Sequence, residues 1–283
     1  ISTDPAYNEN CIVAADWLVE DLTRIGFNAS KRKTGGHPVV IAHTGTSGKH
    51  VMFYGHYDVQ PVDPIELWKQ APFDPYLAPG DISDVICARG AADDKGQLMT
   101  FVEACRAWKA VHGNLPGKIS LFFEGEEESG SPSLVPFMKS NKKELKADIG
   151  IICDTGLFGD NTPGIVTRLR GLLAEELTIT GPSKDLHSGM YGGISHNPAR
   201  LLPKVLASLH DESGRITIPN FYDGVACLDD NIKKQWEELN FDHNNFLNKV
   251  GLSQLAGERG KTALEMIWSE PTCEINGIWS GYI

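Results

Sequence analysis

The sequence predicts an α/β layer architecture built on a mainly parallel sheet. Three observations carry that prediction. Short apolar runs alternate with helical patterns over roughly the first 170 residues. Several of those runs lead directly into segments rich in acids or histidine. After Arg170-Gly171 the pattern changes, which places a boundary between residues 1–171 and 172–283.

The first helix is expected over residues 8–25. Cys11, Ala14, Trp17, Leu18, Leu22 and Ile25 recur there at spacings of three and four, Asn8 can cap the start, and Gly26 follows the end. Strands are expected at 38–42, 50–54 and 85–88, with a long Pro-, Asp- and aromatic-rich functional loop over 61–80. From Gly96 the pattern is helical, with Leu98, Phe101, Val102, Cys105, Trp108 and Val111 on one face and Gly113 as the stop. Strands follow at 118–123 and 149–153, separated by short helical pieces at 133–140 and 142–146. In the second part, strands are expected at 172–180, 215–219 and 272–278. A Gly-rich loop over 182–193 contains His187, and a helix opens at Pro198 and runs to about His210. Residues 229–246 are partly helical in spacing.

The formal net charge of −11 argues against nucleic acid as a partner, because such binders normally carry a basic patch. It suits a cation site. The six cysteines are dispersed with no C-x-x-C pair, which favours reduced thiols and a cytoplasmic location. No apolar run approaches a membrane span and no signal peptide is visible, so no membrane partner is expected.

The chemistry concentrates after the strands. His56 and Asp58, two apart at a strand end, point the same way in extended chain, and a carboxylate commonly orients a ligand imidazole. Asp93 opens a helix, where amides and the macrodipole favour an anion, and Asp94 can fill the capping role. Glu126, Glu127 and Glu128 follow another strand, and Asp154 a third. Singly, each has an ordinary meaning: a surface His-Asp pair, an N-cap, a solvated acidic run. Together, one histidine and several carboxylates at sheet ends suit a two-metal hydrolytic site better than a closed, Cys-rich structural zinc site. No G-x-S-x-G elbow and no P-loop is present.

At these residues the chain closely resembles the co-catalytic zinc metallopeptidase family of carnosinase-type dipeptidases, carboxypeptidase G, succinyl-diaminopimelate desuccinylase, acetylornithine deacetylase and aminoacylase. Four motifs carry the resemblance in order: G-H-Y-D-V-Q-P from Gly55, R-G-A-A-D-D-K-G from Arg89, E-G-E-E-E-S-G-S from Glu124 and D-L-H-S-G-M-Y-G-G from Asp185. The resemblance implies a catalytic domain with helices on both faces of the sheet and part of an inserted α+β lid that forms a homodimer. It implies two divalent ions, zinc or else manganese or cobalt. His56 and Asp154 would bind the first, Asp93 would bridge both across a cis Asp93–Asp94 peptide, and Glu128 would bind the second. Asp58 would orient His56, Glu127 would be the general base, and Glu126 falls on a variable position. His187 would be the lid histidine that reaches the partner subunit's active site.

The implied reaction is hydrolysis of a dipeptide or small peptide, with an N-acyl amino acid as the alternative substrate and a non-catalytic assembly protein as a second alternative. The D-V-Q-P and E-S-G-S forms lean towards the dipeptidases. One departure stands out: the family's final histidine ligand of the second metal has no match, since His196, His210 and His243 lie in lid context. The chain stops at Ile283, apparently within the lid, so the expectation is a C-terminally incomplete enzyme with weak second-metal binding and little turnover.

Overall fold

Helix α1 (Asn8–Ile25) forms where the apolar residues repeat, and it buries Cys11, Ala15, Leu18, Leu22 and Ile25 along one stripe. Gly26 closes it at a φ of 103°, a left-handed conformation that side chains resist, and its N–H donates to the Leu22 and Thr23 carbonyls. There follow β1 (Asn28–Arg32), β2 (Val39–Thr44), β3 (His50–His56), β4 (Tyr76–Ala78) and β5 (Val85–Cys87). Next come α2 (Lys95–His112), β6 (Lys118–Glu124), α3 (Leu134–Ser140) and β7 (Ile149–Ile152). The structure is a computed structural model that describes residues 1–80, 83–156, 158–159 and 162–281.

The main sheet has the order β1-β2-β6-β3-β7, while β4 and β5 pair separately and antiparallel. β3 pairs parallel with both β6 and β7, whereas β2 is antiparallel to β6 and to β1. Four of the five strands therefore run one way, with β2 alone reversed, which is the mainly parallel sheet expected. The pairing aligns His56 with Glu124 and Tyr54 with Ile152, so the carboxyl ends of β3, β6 and β7 share one edge. In open α/β sheets that edge is where ligands bind.

Both faces are covered. α1 and α2 pack Leu18, Leu22, Leu98 and Val102 against Val40, Phe53, Leu121 and Phe123. On the opposite face, Val39, Ile41, Phe122 and Leu145 form a smaller cluster joined by Leu134 and Phe137 of α3. β1 and β4 were not foreseen: β1 (Asn-Ala-Ser-Lys-Arg) is polar because it is an edge strand with its outer side in water. The expected helical piece at 142–146 is a turn rather than a helix.

The chain divides into two units, Ile1–Ile165 and Val166–Ile283, a few residues before the boundary read from sequence. The second unit holds α4 (Ser188–Tyr191), α5 (Pro198–Ala207), α6 (Asp230–Glu238), α7 (His243–Asn248) and α8 (Ala263–Trp268). Thr262 and Glu265 form a reciprocal capping box at the start of α8. The strands expected at 172–180, 215–219 and 272–278 do not form; one isolated antiparallel bridge, His210 to Ile216, touches them. A strand exists only as a paired ladder, and the apolar residues of the first segment, Leu172, Leu173 and Leu177, stay exposed without a partner strand. Among the described residues, no helix is long and apolar enough to cross a membrane.

The centre of the first unit is Phe53, stacked on Phe101 at 4.2 Å between ring centroids and edge-on to Phe123 at 6.2 Å. Phe53→Ala should cost about 3–5 kcal/mol in urea-induced unfolding of this unit. Leu172→Ala, at an exposed site, should stay within about 0.5 kcal/mol of the parent. Equal losses from the two substitutions would contradict the core assignment.

Candidate metal centre

β3 is apolar up to Tyr54 and then changes to Gly55-His56-Tyr57-Asp58, which brings an imidazole to the sheet edge while keeping it out of water. His56 is 0% exposed. A Cβ at Gly55 would lie 2.9 Å from Asp94 Oδ2, so the close approach of the Asp93-Asp94 turn needs a glycine there. Asp94 is itself buried, and its Oδ2 accepts a hydrogen bond from the His56 N–H at 3.1 Å. Its side chain makes no helix cap, contrary to the capping role read from sequence. It anchors the backbone of His56 to the start of α2 instead. The peptide between Asp93 and Asp94 is cis, as the resemblance implies.

The imidazole is oriented from one side. His56 Nδ1 lies 3.3 Å from Asp58 Oδ1 and 3.2 Å from the Asp58 carbonyl, both acceptors, so Nδ1 carries a hydrogen. Asp58 is held in turn: its carboxylate accepts from the N–H groups of Glu127 at 3.3 Å and Glu128 at 3.1 Å. Burial raises its carboxyl, but His56 and, after it, the Glu128 N–H outweigh burial and hold it below the usual range. Nε2 then faces Asp93 Oδ1 at 3.1 Å, Asp154 Oδ2 at 3.5 Å and Glu127 Oε2 at 3.9 Å.

Such a set demands positive charge. Burial works against an imidazolium, but Asp58, and after it Asp94 and Glu127, outweigh burial and push His56 up to about 10. Burial pushes Asp94 up to about 6, and burial also raises Glu127, with Glu128, Asp154 and Asp58 adding to it against His56. Ligand atoms of His56, Asp93 and Asp154 all lie within 4.8 Å of one another. In a tetrahedral zinc site neighbouring N and O donors sit about 3.4 Å apart. The 3.1 and 3.5 Å separations from Nε2 bracket that value, so these three residues fit a divalent cation. The donors suit zinc, manganese or cobalt comparably.

The structure separates the remaining candidates. Glu127 stands beside the three-residue group, whereas Glu128 lies outside it and its Oε2 accepts from the Gln60 amide at 2.7 Å. His187 belongs to the second unit, where its Nδ1 accepts from the Gly189 N–H at 3.0 Å. Glu126 is buried structure: its carboxylate accepts from the His37 N–H at 2.8 Å and the Ser133 N–H at 3.0 Å. Glu124 is buried too, accepting from Tyr54 and from Ser131. Gln60 and Gln97 were not singled out in the sequence, because neutral amides carry no charge pattern to distinguish them.

Residues 52–282 match the description of peptidase family M20/M25/M40. A Cys-Gly metallodipeptidase of Schizosaccharomyces pombe is 31% identical to this chain, over 98% of this chain and 61% of its own length. The Beta-Ala-His dipeptidase of Homo sapiens is 31% identical over 85% of this chain and 48% of its own length. The crystal structure of an M20 family metallo-carboxypeptidase from Sulfolobus solfataricus matches with a TM-score of 0.76 at 33% identity, covering 95% of this chain and 61% of that one. The chain thus spans between 48% and 61% of the length of these relatives. The match over residues 52–282 includes His56, Asp93 and Asp154, and this chain belongs to peptidase family M20/M25/M40.

Proposed function

We propose that this chain is the metal-binding part of a hydrolase that cleaves the amide bond of dipeptides or small peptides. The observation that carries the reading is the grouping of His56, Asp93 and Asp154 at the sheet edge, with Glu127 alongside. Two divalent ions, zinc or else manganese or cobalt, would supply Lewis acidity towards water and the substrate carbonyl. His56, Asp93 and Asp154 would hold the first ion, while Asp93 and Glu128 would serve the second. Asp58 holds the proton on His56 Nδ1 and so keeps Nε2 turned to the site.

Glu127 is the general base. Its carboxyl is raised by burial, which moves it towards the range where it can take a proton from water and return it to the leaving amine. Its side chain is 41% exposed, open enough to meet substrate. His187 is the oxyanion donor: because Nδ1 accepts from Gly189, the hydrogen sits on Nε2, the tautomer that can polarise a carbonyl. A homodimer through the second unit would bring that histidine to the partner's site. The six free cysteines support a reducing, cytoplasmic setting.

In the complete protein with zinc, manganese or cobalt added, free dipeptides such as Cys-Gly and β-Ala-His should be hydrolysed faster than N-acetyl or N-succinyl amino acids. The reverse order would assign the deacylase alternative. A preparation of the complete protein with no bound divalent metal and no activation by any of the three ions would point to the non-catalytic assembly protein.

Glu127→Gln keeps the size of the side chain and removes the base. In the complete protein it should lower kcat by about a hundred- to ten-thousand-fold while metal content, measured by mass spectrometry, stays at the parent level. Asp93→Ala should instead lose metal. If Glu127→Gln lost metal to the same extent as Asp93→Ala, Glu127 would be a ligand and not the base.

A further inference from the structure

Asp94 is the N-cap of α2 and Gln97 stands three residues later, the spacing of a capping box. Neither side chain caps the helix. Asp94 turns to the His56 N–H. The Gln97 amide leaves the helix and donates to two carbonyls, Ala92 O at 2.6 Å and Thr155 O at 3.3 Å. Ala92 immediately precedes Asp93, and Thr155 immediately follows Asp154. One side-chain nitrogen, using both its hydrogens, therefore ties together the backbones that carry the two carboxylates facing His56 Nε2. The orientation is fixed by chemistry: turned over, Oε1 would meet two carbonyl oxygens, an acceptor against acceptors. Among the described residues Oε1 is instead buried without a hydrogen-bond partner, so the donors orient the amide.

The Asp154 turn has need of such a tie. Among the described residues β7 is the last strand of the sheet and pairs on one side only, with β3. Beyond it the chain pinches at Asp154, where the Thr155 N–H donates to the Cys153 carbonyl at 2.7 Å. That turn sets the local direction of Asp154 but not its distance from Asp93.

We propose that Gln97 is a positioning residue that fixes the separation of Asp93 and Asp154 and thereby the affinity of the first metal position. The inference rests on the metal-centre reading above. It is tested by titrating metal-free protein with Co(II) alone, following the visible absorption of the first equivalent, in the parent, Gln97→Met and Gln97→Glu. Met keeps the length without the donors. Glu keeps the shape and suits a helix N-terminus, so it should fold even where Met does not. Both variants should bind the first Co(II) about 10–100-fold more weakly, with an altered absorption spectrum.

Parent-like affinity and spectrum in a folded variant would overturn the proposal, even if its unfolding midpoint fell, because the residue would then be only structural. Tighter binding by Gln97→Glu would also overturn it, since charge and not the tie would then govern affinity. If the parent protein itself bound no Co(II), the metal-centre reading would fail on that arm alone.

Discussion

The structure turns on one buried imidazole. His56 is enclosed in the sheet edge with no exposed surface, yet four carboxylates, Asp58, Asp93, Asp154 and Glu127, lie within 3.9 Å of its ring nitrogens. A single imidazolium cannot balance that much negative charge. Glu124 and Glu126 take their hydrogen bonds from neutral donors instead: Tyr54 and Ser131 for one, the His37 and Ser133 amides for the other. What remains is a focused negative site. The side chains of Asp93, Glu127 and Asp154 are 60%, 41% and 35% exposed, so a cation and a substrate can both reach them.

Three adjacent glutamates take three different jobs because the chain coils into a short turn at Glu127–Ser129 directly after β6. Extended chain would send alternate side chains to opposite faces. The turn instead sends Glu126 back to the scaffold, Glu127 to His56 and Glu128 to Gln60. The same turn presents the N–H groups of Glu127 and Glu128 to Asp58. Glu127, the proposed general base, and Asp58, which orients the imidazole, are thus parts of one hydrogen-bonded unit. A shift in this turn would disturb His56 as well as Glu127.

The framework was legible wherever one force dominates locally. α1 and α2 show a 3.6-residue apolar stripe, and β2, β3 and β6 are short apolar runs because the sheet is covered on both faces. Their chain order put His56, Glu127 and Asp154 after the parallel strands β3, β6 and β7, while Asp93, at the start of α2, was joined to them by the resemblance. The polar edge strand β1 was missed because its burial is partial and its composition ordinary. The strands expected in the second unit failed because ladder pairing is a property of two segments, and alternation in one of them cannot supply the other. Gln97 escaped because a neutral amide one turn into a helix carries no charge pattern to mark it.

The unused capping box of Asp94 and Gln97 shows how the site and the helix compete for the same side chains. A capped α2 would have its first amides satisfied by Asp94, a gain of about 1 kcal/mol, and Gln97 would return to the N-cap backbone. Both residues instead make bonds outside the helix, and among the described residues Asp94 Oδ1 and Gln97 Oε1 are buried without partners. Unpaired buried acceptors cost of the order of 1–3 kcal/mol each. Local consistency is given up at one turn, while α8 keeps its full capping box at Thr262 and Glu265. The departure falls where β3, α2 and the end of β7 must be held in register around His56. A helix start optimised for its own stability would release Asp93 and Asp154 from each other.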